Sequence, residues 1–187
     1  MTINEKLSKI RLLAMDVDGT LTDGGLTFHS GLQIKEFNVY DGLGIRLALT
    51  NDLKIAWITG NISDTVNDRA SSLGVNEVCQ GVQNKAKAII ELSEKHNLQL
   101  EEIAYIGDDL NDYPAFGTAG IGFAVNNAVE EIKNVSDVVT QKAGGQGAVR
   151  EAIEMIFKAK GIWDDVVSGY VEMLKSEKAA ADSGNVA

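Results

Sequence analysis

A chain of 187 residues, with 17 Lys plus Arg against 27 Asp plus Glu, carries a formal net charge of −10, and 44% of it is apolar. That length suits one domain with a true hydrophobic core, and the composition excludes a disordered or fibrous chain. The acidic balance excludes nucleic acid as the expected partner, and a small phosphorylated ligand would need a divalent cation and a few placed basic groups to offset the repulsion. The single cysteine, Cys79, has no partner for a disulfide, and no zinc-type Cys/His spacing occurs. A reducing cytoplasm is therefore the expected setting. The opening MTINEKLSKIR lacks the apolar centre of a secretory signal, and no later run approaches the roughly 18 apolar residues of a membrane span, so no membrane partner is expected.

In chain order, the apolar run 10–15 predicts a first strand. Residues 24–41 then alternate apolar and polar side chains around Ser30-Gly31, which predicts a β-hairpin inserted directly after that strand. Helical spacing over 43–51 leads to a strand at 55–58, a helix over 63–73 ended by Gly74, and a short strand at 77–79. A helix over 84–95, a strand at 103–106, a helix over 111–116 and a strand at 121–125 follow. The series closes with a helix over 128–133, a weak strand at 138–139 and a helix over 148–158. Strands alternating with helices imply an α/β fold, a doubly wound parallel sheet whose ligands sit at the carboxyl ends of the strands. Nothing large enough for a cap domain interrupts the later units. We expect a single domain over 1–175, with 24–41 as a flap, 161–175 as an extension whose Ile162, Val166, Tyr170, Met173 and Leu174 fall near helical spacing, and 176–187 as a disordered tail.

Four motifs carry chemistry. Asp16-Val17-Asp18-Gly19-Thr20 follows the first strand, and residues i and i+2 of an extended chain share a face, so Asp16 and Asp18 can both enter the cleft. One carboxylate can attack phosphorus while the other protonates the departing alkoxide and then activates water. Thr59-Gly60-Asn61 follows the second core strand; a hydroxyl and free amides there suit phosphate oxygens, although Thr-Gly is by itself often only a turn. Lys85 opens a helix, where an ammonium and the helix's positive end can face an anion; lysines on helices are also commonly just solvated. Gly107-Asp108-Asp109-Leu110-Asn111-Asp112 follows the strand at 103–106 and offers hard oxygen ligands for Mg²⁺, with helix capping by Asp109 or Asn111 as a compatible account. His29, His96, Trp57 and Trp163 read as packing or solvated residues, with Trp163 available to a subunit contact, and Cys79 reads as a small hydrophobe.

Asp-x-Asp-Gly-Thr, then Thr-Gly, then Lys, then Gly-Asp-Asp-x-x-Asp, in this order and at these structural positions, resembles the haloacid dehalogenase superfamily of phosphatases. The hairpin with Lys35, Asp41-Gly42-Leu43-Gly44-Ile45, Gln80-Gly81 and Gly144-Gly145-Gln146-Gly147-Ala148-Val149-Arg150-Glu151 resembles the capless branch that hydrolyses 3-deoxy-D-manno-octulosonate 8-phosphate, over about residues 8 to 165. The resemblance implies Asp16 as nucleophile and Asp18 as general acid and base. It implies Thr59, Gly60, Asn61, Lys85 and Arg150 as phosphate or substrate binders, and Mg²⁺ held by Asp16, the Asp18 carbonyl and Asp108, with Asp109 and Asp112 supporting the metal. It also implies a homotetramer joined through the hairpins, in which the 144–150 segment is a mobile arm reaching a neighbouring site. Tyr40 and Asn61 stand where the branch usually carries Arg, and Leu32 stands where it usually carries Glu. A related nonulosonate or acylneuraminate 9-phosphate is the alternative substrate, and a non-catalytic oligomerisation module is the alternative from another class.

Overall fold

The computed structural model describes residues 1–30 and 32–184. Its centre is a six-stranded sheet in the order β5-β4-β1-β6-β7-β8, built from β1 (Leu12–Met15), β4 (Lys54–Ile58), β5 (Glu77–Cys79), β6 (Ile103–Gly107), β7 (Ile121–Ala124) and β8 (Val138–Val139). Every pairing in it is parallel, with Leu12 opposite both Lys54 and Ile103. Strand β1 reads Leu-Leu-Ala-Met and is buried at every position, as a strand covered on both faces must be. The crossover helices are α2 (Val39–Thr50), α3 (Asp64–Leu73), α4 (Lys85–His96), α5 (Tyr113–Phe116), α6 (Glu130–Val135) and α7 (Ala148–Ala159). Helix α7 packs against α2 and against the N-terminal α1 (Ile3–Ser8), while α4 packs against α5. One continuous core runs through Leu13, Trp57, Tyr105, Phe123 and Phe157. No helix among the described residues is long and apolar enough to cross a membrane.

The α/β fold and the six core strands lie where the hydrophobic runs predict them. The hairpin is shorter than its alternating pattern: β2 (Thr27–His29) and β3 (Leu32–Ile34) pair antiparallel, and the chain is already helical from Val39. Asn38 is responsible, because its side chain accepts a hydrogen bond from the Tyr40 amide at 2.8 Å and starts α2 four residues before the apolar spacing does. Gly31, half of the predicted turn, lies outside the described residues. Helix α1 was not expected, yet Thr2 and Glu5 form a capping box that names its start. At the other end, α8 (Trp163–Gly184) carries through much of the segment expected to be a disordered tail, and 185–187 lie outside the described residues.

Helices α2 and α7 are tied by a buried carboxylate. Asp41 is 1% exposed, and its Oδ1 accepts the Arg150 amide at 2.7 Å in the first turn of α7. Oδ2 is buried without a partner. Burial pushes the Asp41 carboxyl up to about 6, against the pull of the α7 amides. A carboxyl whose folded pKa lies above its unfolded value of 3.8 stabilises the fold most at low pH, and that contribution is lost as pH rises from about 4 to about 6. Asp41→Asn should therefore gain stability relative to the parent across this window, by about 3 kcal/mol at most. Urea unfolding of both proteins at intervals from pH 4 to 7 measures the difference, and a constant difference would show that Asp41 does not titrate there.

Candidate active site

The carboxyl ends of β1, β4 and β6 converge, and the parallel register sets which residues meet there. The Asp16 amide donates to the Ile106 carbonyl at 3.0 Å, so the β1–β6 ladder continues one step and delivers Asp16 beside the Asp108 turn. The chain then folds back, with the amides of Leu21 and Thr22 both donating to the Val17 carbonyl. Gly19 makes that turn with φ +99°, and a Cβ there would lie 2.0 Å from Asp108 Oδ2.

Asp16 and Lys85 are both nearly inaccessible. The Lys85 ammonium contacts Asp16 Oδ1 and lies 2.6 Å from Asp112 Oδ1. Asn84, whose side chain accepts the Lys87 amide at 3.2 Å, caps α4 and places Lys85 as its first residue, aimed inward rather than into solvent. Asp112 is fully engaged: Oδ1 accepts from Lys85 and from the Tyr105 hydroxyl at 2.5 Å, and Oδ2 accepts the Asp108 and Asp109 amides at 2.8 and 3.2 Å. Asp108 accepts from the Thr20 hydroxyl at 3.0 Å.

Asp18 occupies a separate, more open position. The Lys35 ammonium, brought in from the end of the hairpin, contacts its Oδ1, and Asn61 Nδ2 donates to its Oδ2 at 2.9 Å. Thr59 is buried at the end of β4, where its amide donates to the Cys79 carbonyl and its Oγ1 accepts the Asn61 amide at 3.2 Å. Gly60 lies between them, half-buried. Thus two carboxylates two residues apart have different surroundings: Asp16 is buried on a lysine, and Asp18 is held at the mouth by a lysine and an amide.

Asp16, Asp108 and Asp112 each place a carboxylate oxygen within 4.8 Å of the others. Asp112 is a poor candidate for a metal ligand because both its oxygens already accept two hydrogen bonds; it is better suited to orient Lys85 and the Asp108 turn. Asp16 and Asp108 remain, and Asp109 is exposed and caps the following turn through the Leu110 amide. Burial pushes the Asp16 carboxyl up to about 8, opposed by Lys85 and reinforced by Asp112 and Asp108. It pushes Asp108 up to about 6, reinforced by Asp112. Burial works against the Lys85 ammonium as well, but Asp16 and Asp112 outweigh it and raise its pKa. Four clustered carboxylates against the two ammonium groups of Lys35 and Lys85 form a donor set short of positive charge, which fits a hard divalent cation.

Two expected features lie elsewhere. Arg150 is not brought to the carboxylates: with its amide held by Asp41, its guanidinium donates to Glu154 at 2.8 Å and stands 5.1 Å from the centre of the Trp163 ring. The glycine-rich segment before it packs on this chain's own turn after β1 rather than extending as an arm. The Gly145 amide donates to the Thr20 carbonyl at 3.0 Å, and a Cβ on Gly144 would lie 1.7 Å from the Gly19 carbonyl oxygen, which only glycine permits. Conversely, Lys35, Tyr105 and Thr20 act on the site without having been expected as site residues. Their signals are weak, because a lysine in a hairpin, a tyrosine in a core strand and a threonine in a turn are ordinary.

A phosphoryl-transfer hydrolase of the capless α/β type is the class that this fold and site define. The model of the haloacid dehalogenase-like hydrolases matches residues 32–153, and the chain belongs to that family. It is 44% identical over 161 residues to the 3-deoxy-D-manno-octulosonate 8-phosphate phosphatase KdsC of Escherichia coli K12, covering 86% of each chain. Over 177 residues it is 38% identical to the KdsC of Haemophilus influenzae, covering 93% of this chain and 98% of the relative. It also superposes with a TM-score of 0.87, at 42% identity and over 90% of this chain and 97% of the other, on the crystal structure of the 3-deoxy-D-manno-octulosonate 8-phosphate phosphatase of Moraxella catarrhalis in complex with a magnesium ion, a phosphate ion and a KDO molecule.

The buried triad has a stability consequence. Replacing Lys85 by Met leaves Asp16 and Asp112 facing each other without their counter-charge, and the fold should lose about 3–5 kcal/mol near neutral pH. Tyr105→Phe removes one of four hydrogen bonds to Asp112 and should cost about 1 kcal/mol. Urea denaturation without added metal ranks the two variants, and equal losses would contradict the central place of Lys85.

Proposed function

We propose that the chain is a Mg²⁺-dependent phosphomonoesterase that hydrolyses 3-deoxy-D-manno-octulosonate 8-phosphate to the free sugar acid and phosphate. The observation that carries this reading is the contrast between Asp16 and Asp18 at one strand end, a buried carboxylate on Lys85 beside a carboxyl at the open mouth. It is supported by the relatives' substrate and by the magnesium, phosphate and sugar of the Moraxella complex.

In this mechanism an Asp16 oxygen attacks the phosphorus, and the phosphorus–oxygen bond to the sugar breaks. Asp18 gives its proton to the departing sugar oxygen, then takes one from the water that attacks the aspartyl phosphate, which regenerates Asp16 and releases phosphate. Lys85 and the Thr59 hydroxyl bind phosphate oxygens, with the backbone at Gly60 alongside. Asp112 and Tyr105 fix Lys85, while Asn61 and Lys35 fix Asp18. Magnesium would be held by Asp16, Asp108 and the Asp18 carbonyl, with Asp109 and Asp112 supporting them, and it would supply positive charge to offset that of phosphate and carboxylates. Asn61, neutral where the branch usually has Arg, meets the general acid and is a position where sugar preference can differ.

The same reading makes the protein a cytoplasmic homotetramer joined through the hairpins. The exposure of Leu26, Phe28 and Ile34 on that insertion supports a contact there. Phosphate release from a panel of octulosonate 8-phosphate, nonulosonate 9-phosphate, acylneuraminate 9-phosphate and hexose phosphates tests the function. The expected result is preference for the first with Mg²⁺, loss of turnover with EDTA, and background activity for Asp16→Asn with an unchanged circular dichroism spectrum. A different favoured sugar would keep the mechanism and move the substrate, and normal turnover by Asp16→Asn would exclude the mechanism.

A further inference from the structure

The turn after β1 is backed by a second piece of chain, the loop that leads into α7. Gly144 is buried against the Gly19 carbonyl so closely that no Cβ could fit between them, and the Gly145 amide donates to the Thr20 carbonyl at 3.0 Å. Gly19 is the residue after Asp18, and Thr20 gives its hydroxyl to Asp108 at 3.0 Å, so the loop presses on the backbone that aims both carboxylates. The two ends of the loop are fixed independently of that contact. Glu151 accepts the Gln141 and Lys142 amides at 2.8 and 2.9 Å, and Asp41 accepts the Arg150 amide at 2.7 Å.

Its middle is held by two asparagines of opposite polarity. Asn127 Oδ1 accepts the Gly144 amide at 2.8 Å, whereas Asn38 Nδ2 donates to the Gly145 carbonyl at 3.0 Å. A backbone amide only donates and a carbonyl only accepts, so each role is fixed by its partner; Asn38 is fixed twice, because its Oδ1 accepts the Tyr40 amide at 2.8 Å. Neither asparagine belongs to the core, since Asn127 is exposed and Asn38 half-buried. Asn38 also stands three residues after Lys35, whose ammonium contacts Asp18 Oδ1. One short stretch of chain therefore touches the Asp18 side chain at one end and the loop behind the Asp18 backbone at the other. Proton transfer needs donor and acceptor within hydrogen-bond reach, and a small displacement of the donor is costly, so bracing of this kind acts on rate more than on folding.

We propose that Asn38 and Asn127 are positioning residues for proton transfer by Asp18: they clamp Gly144 and Gly145 onto the turn after β1 and so set where Asp18 stands relative to the departing oxygen. The inference rests on the reading of Asp18 as the general acid and extends it to two residues that touch neither substrate nor phosphate.

The choice of leaving group tests it in the full-length protein with Mg²⁺. An alkyl phosphate needs a proton on its departing oxygen, p-nitrophenyl phosphate does not, and kcat/KM reports the steps up to that departure. With the alkyl phosphate of the panel that the parent hydrolyses fastest, Asp18→Asn should lose far more on the alkyl than on the aryl compound. Asn127→Leu, Asn38→Asp and the uncharged Asn38→Ser should share that signature, with kcat/KM falling roughly tenfold to a hundredfold on the alkyl phosphate and less than about threefold on the aryl one. Asn127→Asp keeps the acceptor for the Gly144 amide and should recover most of what Asn127→Leu loses, whereas Asp at 38 lacks the donor. Amide hydrogen exchange over 142–147 should quicken in the impaired variants, and thermal unfolding checks that each is folded. If Asp18→Asn shows the signature, then equal losses on both phosphates, parent rates in the Asn38 and Asn127 variants, or Asp tolerated equally at both positions would overturn the clamp and leave the role of Asp18 standing. Equal losses for Asp18→Asn itself would overturn both.

Discussion

The carboxylate cluster at the carboxyl end of the sheet depends on one buried ammonium. Lys85 lies between Asp16 and Asp112, all three nearly inaccessible, in an interior where an uncompensated charge costs several kcal/mol. Without Lys85, neither Asp16, just beyond β1, nor Asp112, which ties down the turn after β6, has a counter-charge in the core. The same interaction does two jobs. It makes burial of Asp16 tolerable, and through Asp112 it links that residue to Tyr105 and to the amides of Asp108 and Asp109. Positive charge remains in deficit, which burial expresses as raised carboxyl pKa values at Asp16 and Asp108. A divalent cation and an anionic substrate thus complement the site together, although each alone is opposed by part of it.

Around this centre, close backbone packing replaces the missing cap. The turn after β1 is held from one side by Asp108 and Thr20 and from the other by the Gly144–Gly145 loop, which is in turn anchored through the Gly144 amide to Asn127 and through the Gly145 carbonyl to Asn38. Asn38 also starts α2, and Asp41, three residues on, receives the first turn of α7. Hairpin, loop, α2 and α7 are therefore coupled to Asp18 and its turn through a short chain of contacts. Asp18 itself is held by Lys35 of the hairpin and by Asn61, so the insertion shapes the site within its own subunit as well as presenting apolar residues outward.

Part of the apolar surface left uncovered lies on the insertion after β1 and on α8. Both are additions to the alternating α/β unit, and neither has enough of its own fold to bury its side chains. This is the physical situation in which association between subunits supplies the missing core.

Much of this protein was legible from residue order alone. Buried parallel strands need continuous apolar runs, so the six core strands, the α/β class and the carboxylates at their ends could be read directly, as could Asp16, Asp18, Lys85 and Asp108 as chemically special positions. Local signals also existed for what was missed: Thr2 with Glu5 for α1, and Asn38 for the early start of α2, because capping is a short-range interaction. Tertiary structure alone decided the rest. Lys35 meets Asp18 across 17 residues, Lys85 meets Asp112 across 27, and Asp41 reaches the Arg150 amide across 109. Such pairings depend on how strands and loops are laid side by side, and residue types common everywhere in proteins carry no mark of them. For the same reason Arg150 looked like a substrate ligand in one dimension and is a partner of Glu154 and Trp163 in three: residue order supplied the functional groups, while packing set the distances that determine which of them act together.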